Sequence, residues 1–382
     1  MIMDALGQLA ALYETRTGPV PAALDGRPTV AYVGADVPVE VLSAAGFAPF
    51  RFSGRSGAYE SAARYCGPGI DGAAVSQLAR LLDGDAAASA GLTLSADCEG
   101  TVRLFLYLRE IQRLERRPGI PRLTFFDLLH LPQRTSAVYN RTRLDAFIAE
   151  MSDWAHRPIT DADLRDAAAE HDRVRALIRA VGTELRSAPD GPRLTGVQAL
   201  AVIGAAFVSS PRVWCALAEQ LLADAGDLPR RQGIRVFLTG CGHDNPSAYQ
   251  LIESLGAVIV GEDHDWGALA GERDIGPSQH IRSTLGRSRA LAAPASAGHA
   301  AAVRAEQTAR MAAACGADLV VAWARQYDDA PAWDVPVQRE SLERVGIPLA
   351  TVPAQPYGAA SHDDAADLLM SALHERTAEM SR

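Results

Sequence analysis

The chain has 382 residues, of which 48% are hydrophobic and 22% are charged, and its formal net charge is −9. These proportions are typical of a folded protein with room for two or three domains, and they exclude a disordered or fibrous chain. The acidic balance argues against nucleic acid as the main partner, because a phosphate backbone attracts a basic surface.

The sequence contains no lysine, so all 37 residues counted as Lys or Arg are arginine. Schiff-base and pyridoxal phosphate enzymes need a lysine amine, and a Walker-type phosphate loop needs its lysine. Both mechanisms are therefore excluded. If ATP matters to the reaction, another protein must hydrolyse it.

No apolar run is long enough to cross a bilayer, and residues 1–21 carry Asp4 and Glu14 where a signal peptide needs a basic start and an apolar centre. We therefore expect a cytoplasmic protein with no membrane partner. Five cysteines in a long cytoplasmic chain indicate no disulfide framework.

Strand and helix patterns alternate over the first 135 residues. Strands are predicted at 28–34, 47–52, 91–95 and 122–127, and helices at 39–45, 72–82 and 101–115. Strands that alternate with helices of about ten or more residues are typical of a parallel sheet. This part of the chain is predicted to be an α/β domain.

Strand signals cease at about Ser136, and helical spacing dominates to about residue 230. Thr160 and Asp163 are predicted to cap one helix, and Thr195 is predicted to cap the next. The alternation then resumes, with strands predicted at 233–240, 257–260, 318–324 and 349–352 and helices at 246–255, 300–315 and 336–345.

The predicted fold class is therefore α/β. It consists of two small parallel-sheet domains of Rossmann or flavodoxin type, at residues 1–135 and 231–382, with a helical segment at 136–230 between them. A G-x-G-x-x-G fingerprint after a strand is absent, so a dinucleotide site is not indicated.

Three cysteines fall in turns where a parallel sheet places its ligands. Cys98 and Cys241 each follow a predicted strand directly, and Cys66 lies in a glycine-rich loop before a helix. Three such thiols suit an iron–sulfur cluster, although incidental loop cysteines would give the same pattern. Cys215 and Cys315 lie in or at the end of helices and are predicted to be structural thiols.

Two histidines lie close to the same predicted turns. His243 follows Cys241 by two residues, which leaves nucleophilic catalysis by a cysteine open. His264 lies among carboxylates just after the strand at 257–260. Both histidines are weaker candidates for proton transfer in a cleft, and the pattern favours ordinary polar turn residues.

An ordered set of short segments extends over nearly the whole chain. The set comprises Tyr32–Glu40 with Ala45–Pro49, Cys66, Cys98–Arg103, Phe126–Pro132, Ile159–Leu164, Leu238–Gly240, Ile252–Val260 and Gly346–Pro348. In this order it resembles the family of 2-hydroxyacyl-CoA dehydratase D-components and benzoyl-CoA reductase subunits.

The resemblance implies a subunit that pairs with a related subunit and carries a four-iron four-sulfur cluster in its cleft. A separate ATP-hydrolysing activator would deliver a low-potential electron. In the dehydratases that electron reaches the carbonyl of an acyl-CoA-type thioester, and the resulting ketyl radical expels the 2-hydroxyl group. In the reductases it enters an aromatic thioester. The absence of lysine fits this division of labour.

One position departs from the family pattern. The family's third cysteine lies in the turn after the strand at 318–324, and this chain has Tyr327 there. In one account Cys241 replaces the missing ligand. In the other, this chain lacks a cluster and serves as the structural partner of a cluster-bearing paralogue. A homodimer that shares a double-cubane cluster is a third alternative.

The leading prediction is an iron–sulfur subunit of a 2-hydroxyacyl-CoA dehydratase-like lyase, or of an acyl-CoA reductase-like enzyme. Cys66, Cys98 and Cys241 would be the cluster ligands, and Tyr327 would donate a hydrogen bond near the cluster or the substrate. Arginines near the cleft would bind the phosphates of CoA.

Overall fold

Two separate sheets flanked by helices form the framework of the chain and confirm the predicted α/β class. The structure is a computed structural model that describes residues 4–57, 59–291, 299–359 and 362–381. Strands β1 to β5 of the first sheet are Ala23–Leu24, Arg27–Val33, Ala48–Arg51, Leu92–Ser95 and Leu123–Phe126. Strands β6 to β9 of the second sheet are Ile234–Gly240, Ala257–Glu262, Leu319–Arg325 and Leu349–Gln355.

The helices connect and cover these strands. Helices α1 to α13 are Ala5–Glu14, Val39–Ala44, Gly72–Leu82, Glu99–Glu115, Arg134–Ala155, Asp161–Ala180, Gly196–Ala205, Pro211–Ala223, Ser247–Ser254, Ile281–Ala290, Ala301–Ala314, Ala330–Glu343 and Asp363–Met380. Of the helices in the described ranges, none has both the length and the hydropathy needed to span a membrane.

Each sheet has one point where the direction of its connections reverses. In the first sheet β3 and β4 lie on opposite sides of β2, and in the second sheet β7 and β8 lie on opposite sides of β6. These pairings are parallel, and β1 alone among the described strands of the first sheet pairs antiparallel. Ligands of open parallel sheets bind at such switch points, beyond the carboxyl ends of the strands.

A glycine ends or follows each of the two central strands. Gly34 has a φ of +104° and Gly240 a φ of +114°, values that favour glycine. A Cβ atom on Gly34 would lie 2.0 Å from the Ser95 hydroxyl, and one on Gly240 would lie 2.2 Å from the carbonyl oxygen of Trp323. Both switch points therefore depend on a residue without a side chain.

The two faces of the first sheet are buried by different helices. Val30 and Tyr32 of β2 join a core with residues of α5 and α6, whereas Ala31 and Val33 join a core with residues of α3 and α4. This alternation follows from the two-residue period of a strand. The helical segment therefore covers one whole face of the first sheet.

The largest core lies against the second sheet, and the N-terminal helix takes part in it. Leu9 and Tyr13 of α1 are buried together with Trp214 of α8 and Val236 of β6. The Tyr13 hydroxyl also donates a hydrogen bond to the carbonyl oxygen of Asp244 at 2.8 Å. Helix α1 thus packs against the core of the second sheet.

Several predicted boundaries are confirmed and one is wrong. The predicted caps at Thr160 and Thr195 are present, each with its reciprocal capping box. The helix predicted to start at Pro336 instead starts at Ala330, because Pro331 in its first turn already provides a suitable start. Pro336 lies inside that helix. The sequence analysis also did not predict α1 or α13.

Candidate functional site

A cavity lies between the switch points of the two sheets and opens to solvent. From the first sheet it is lined by Gly34, Asp97 and Cys98, and from the second by Gly240 and Cys241. The space inside it that is open to the centre of a water-sized sphere measures about 140 Å³. The carboxyl ends of both sheets therefore face one shared cleft, as the strand-end rule predicts.

An ion pair crosses this cleft and joins the two sheets. Nε and Nη2 of Arg325, at the end of β8, donate to the two carboxylate oxygens of Asp71 at 2.9 and 2.7 Å. Asp71 is also the N-cap of α3 and accepts from the amide of Ala73. Arg325 donates in addition to the carbonyl oxygen of Gly242. This bidentate pair holds α3 against the turn that carries Cys241.

Cys98 and Cys241 lie on opposite walls of the cleft. Cys98 is exposed, and its Sγ lies 3.2 Å from the Thr101 hydroxyl oxygen. Desolvation of the sulfur and the neighbouring Asp97 carboxylate raise the pKa of Cys98 well above its usual range. Cys241 is buried, and burial raises its pKa to about 12 against an opposing effect of Arg325. Both sulfurs are therefore neutral thiols at neutral pH.

Cys66 lies elsewhere. Its side chain packs against the core formed by α3, α4 and the first sheet, and it is not among the described residues that line the cleft. Burial raises its pKa as well. Cys215 is buried in α8, and Cys315 caps the end of α11 next to Gly316, as predicted for structural thiols.

The cleft is rich in carboxylates. Its described lining includes seven aspartates, Asp71, Asp97, Asp244, Asp263, Asp265, Asp328 and Asp334, against three arginines, Arg51, Arg304 and Arg325. Each arginine is already paired with one of the aspartates. Four carboxylates therefore have no close arginine partner, since Asp328 is 3.7 Å from an Arg325 already held by Asp71.

This shortage of positive charge shows in the acidities of the carboxyl groups. Burial and the nearby Asp36 raise the pKa of Asp97 to about 7. Burial also raises the pKa of Asp263 and of Asp328 to about 6. A negatively charged guest in this cleft would add to the repulsion.

A test of this electrostatic picture is the pH dependence of stability. The raised pKa of Asp263 stabilises the fold fully below its ordinary value near 4, and that stabilisation is lost as the pH rises through about 6. Between about pH 4.5 and 7.5, the wild type should lose roughly 2 kcal/mol relative to Asp263→Asn. Denaturant titrations at both pH values measure the difference. Asp153→Asn, on the exposed side of α5, is the control and should lose as much stability between the two pH values as the wild type. An equal loss in Asp263→Asn would contradict this electrostatic picture.

His243 and His264 lie behind the cleft wall. His243 is 5% exposed, its Nε2 is 3.8 Å from the Cys241 Sγ, and its ring lies edge-on to the ring of Trp323. Burial keeps its pKa well below the usual range, so the imidazole is neutral.

The hydrogen bonds of His264 occupy both ring nitrogens. The Tyr249 hydroxyl donates to Glu262 at 2.9 Å, so its oxygen accepts from Nε2 of His264 at 2.7 Å. Nδ1 in turn accepts from the amide of Trp266 at 3.2 Å. The tautomer is thereby fixed, and no ring nitrogen of His264 is left for a substrate.

Tyr327 lies in the turn after β8 with a φ of +67°. Its side chain is 51% exposed, and it is not among the described residues that line the cleft. The predicted hydrogen bond from Tyr327 to a cluster or substrate stays a prediction.

The comparison with known families supplies the wider context. A family model described as 2-hydroxyglutaryl-CoA dehydratase, D-component, matches residues 35–354. The chain belongs to this family. The resemblance predicted from the sequence is thereby confirmed, and this D-component chain is a 2-hydroxyacyl-CoA dehydratase-like enzyme component. No curated protein matches the chain.

The residues of this D-component chain do not fit a cluster held by three thiolates. Cys98 and Cys241 face the cleft, but Cys66 is packed against a core and the Arg325–Asp71 pair crosses the space between the two walls. Within the described ranges, no group of three or more His, Cys, Asp or Glu side chains is arranged to hold a metal ion.

Sequence reasoning missed the residues that shape this cleft most strongly. Asp71 and Arg325 are 254 residues apart, and Gln338 looks like an ordinary polar residue of a helix, whereas Asp263 belongs to the carboxylate-rich turn of His264, which was a candidate to face the cleft. The one available signal was position, because Arg325 and Asp263 both follow predicted strands.

Proposed function

We propose that this chain is the cluster-free component of a 2-hydroxyacyl-CoA dehydratase-like enzyme and acts together with a related, cluster-bearing subunit. The observation that carries the proposal is the Arg325–Asp71 pair, which joins the two walls of the cleft that Cys98 and Cys241 also line. Membership of the D-component family supports the dehydratase part of the proposal.

The charge of the cleft supports the same division of roles. A cluster held by three thiolates brings negative charge, and the phosphates of CoA bring more. The described lining already contains more aspartates than arginines, and every arginine of the lining is paired. The partner subunit would therefore hold the cluster and receive the electron from an ATP-hydrolysing activator.

A second candidate is the cluster-bearing subunit of such an enzyme, as a dehydratase or as a reductase. The shared position of Cys98 and Cys241 on the cleft walls favours it. It requires that the Arg325–Asp71 pair opens and that a further ligand, such as Cys66, is brought to the cleft.

The two candidates differ in where the iron is found. The tagged chain is purified without oxygen from its own cells, bound polypeptides are separated from it, and iron and acid-labile sulfide are measured on each. We expect both elements on a related partner chain, and dehydration of a 2-hydroxyacyl-CoA only when both chains, activator and ATP are present. About four irons on this chain, lost in Cys98→Ser and kept in Cys215→Ser, would establish the second candidate instead. No dehydration by the complex with any 2-hydroxyacyl-CoA would overturn the first candidate and the dehydratase form of the second.

A further inference from the structure

One polar corner of the cleft takes no part in the proposed function. It consists of Thr239 at the end of β6, Asp263 just after β7, Thr308 of α11 and Gln338 of α12, and all four line the cavity. Thr239, Thr308 and Gln338 are at most 3% exposed.

The hydroxyl groups fix the orientation of the Gln338 amide. Thr308 donates its hydroxyl proton towards the Asp263 carboxylate and the carbonyl oxygen of Arg304, and Thr239 donates to Asp263 as well. Each hydroxyl oxygen is therefore left as an acceptor. Nε2 of Gln338 donates to both, at 3.1 Å from the Thr239 oxygen and 3.4 Å from the Thr308 oxygen.

The carbonyl oxygen of that amide is left without a partner. Oε1 of Gln338 is fully buried and has no hydrogen bond, although the residue lines the cavity. A buried acceptor without a donor costs about 1–3 kcal/mol, and native proteins rarely leave one unsatisfied. The corner therefore lacks a hydrogen-bond donor, and the cavity that Gln338 lines is the open space that adjoins it. Because Oε1 has no exposed surface of its own, a donor from the cavity reaches it when the side chains that cover it shift.

The surrounding charges decide which donor fits. Asp263 and Asp328 face the same cavity without a close arginine of their own, and Arg304 is held by Asp334, with Nε 2.6 Å from a carboxylate oxygen. A cation that carries N–H groups would satisfy the orphan oxygen and offset the excess of carboxylates together.

We propose that this corner binds a small organic ligand through a protonated primary amine, which donates to Oε1 of Gln338 and to the carboxylate of Asp263. The described residues contain no metal-binding group of three or more side chains, so an organic cation fits better than a bare metal ion. This inference goes beyond the proposed function and does not depend on where the cluster is held.

Calorimetric titration of the purified chain at about pH 7.5 tests the proposal, with ethanolamine and 1,4-diaminobutane as probes. Ethylene glycol and acetate are the neutral and anionic controls. We expect saturable binding of at least one amine and none of either control. Gln338→Met keeps the approximate shape of the side chain but removes the acceptor, and it should weaken amine binding by about tenfold or more.

Two further variants separate the site from general damage to the fold. Gln338→Glu keeps an acceptor and adds a charge, so it should bind the amine at least as tightly as the wild type. Gln355→Met is the matched control, because Gln355 is also buried but both ends of its amide are bonded, to Pro353 and His362. Absence of amine binding by the folded wild type, or equal binding by wild type and Gln338→Met, would overturn the proposal.

Discussion

Replacement of Glu40 by glutamine is expected to lower the free energy of unfolding by about 3–5 kcal/mol. Glu40 of α2 is fully buried and contacts Arg175 of α6 and Arg289 of α10, with one carboxylate oxygen 2.8 Å from Nη2 of Arg289. Burial alone would raise the pKa of Glu40, but the two guanidinium groups hold it well below its ordinary value. The variant leaves both cations buried without their shared carboxylate.

The substitution should weaken contacts between three parts of the chain, because Glu40 joins the first sheet's domain to the helical segment and to the region between β7 and β8. Denaturant unfolding measures the loss. Glu110→Gln is the control, since Glu110 pairs with Arg113 on the exposed side of α4 and its removal should leave the unfolding curve close to that of the wild type. A loss below about 1 kcal/mol for Glu40→Gln would show that this buried carboxylate does not hold the three parts together.

The second large effect is expected at the ion pair that crosses the cleft. Arg325→Met leaves the Asp71 carboxylate, whose side chain is 11% exposed, without its cation, and should cost about 3–4 kcal/mol. In the double variant Asp71→Asn, Arg325→Met the Asp71 charge is removed together with its cation, and only Asp328, 3.7 Å from Arg325, loses a partner. The two single losses should therefore exceed the loss in the double variant by about 2 kcal/mol or more.

A double-mutant cycle of four unfolding curves measures this coupling. The exposed pair Arg173 and Glu219 gives the matched comparison, and its two single losses should be close to additive. Strictly additive losses at Arg325 and Asp71 would mean that the pair does not join the two sheets. Faster labelling of Cys98 by a thiol reagent in Arg325→Met would report the opening of the cleft directly.

Local patterns in the sequence predicted those parts of the fold whose interactions are local. The capping box of Thr160 and Asp163 is complete within four residues, with the Thr160 amide 2.8 Å from Asp163 Oδ2, and it could be predicted for that reason. The predicted helix start at Pro336 was wrong because a proline often occupies the first turn of a helix, and here Pro331 has that role.

The site was predictable in place but not in detail. The order of strands and helices in the sequence indicates parallel sheets, whose ligand sites lie beyond the carboxyl ends of the strands. The turns of Cys98 and Cys241 lie at such ends, and both line the cleft. The pairing of Arg325 with Asp71 depends on how two sheets face each other, and no spacing in one sequence encodes it. The partly buried position of Cys66 outside the cleft likewise follows from tertiary packing rather than from its glycine-rich loop.

The charge of the cleft could not be predicted from the net charge of the chain. Acidic and basic residues alternate along much of the sequence, yet the fold gathers seven aspartates and three arginines at one cavity. Asp263 faces that cavity, and above about pH 6 its ionised carboxylate lowers the stability of the fold. Residues retained at such a cost are commonly found at binding sites, which agrees with the amine site proposed for this corner.

The most direct test of the central claim is the iron and acid-labile sulfide content of the isolated chain after anaerobic reconstitution. The account predicts far less than one cluster per chain and no visible charge-transfer band, because the cleft is crossed by Arg325 and Asp71 and Cys66 is packed against a core outside it. About four irons and four sulfides per chain, lost in Cys241→Ala and retained in Cys215→Ala, would contradict it and show that the cleft opens to hold a cluster.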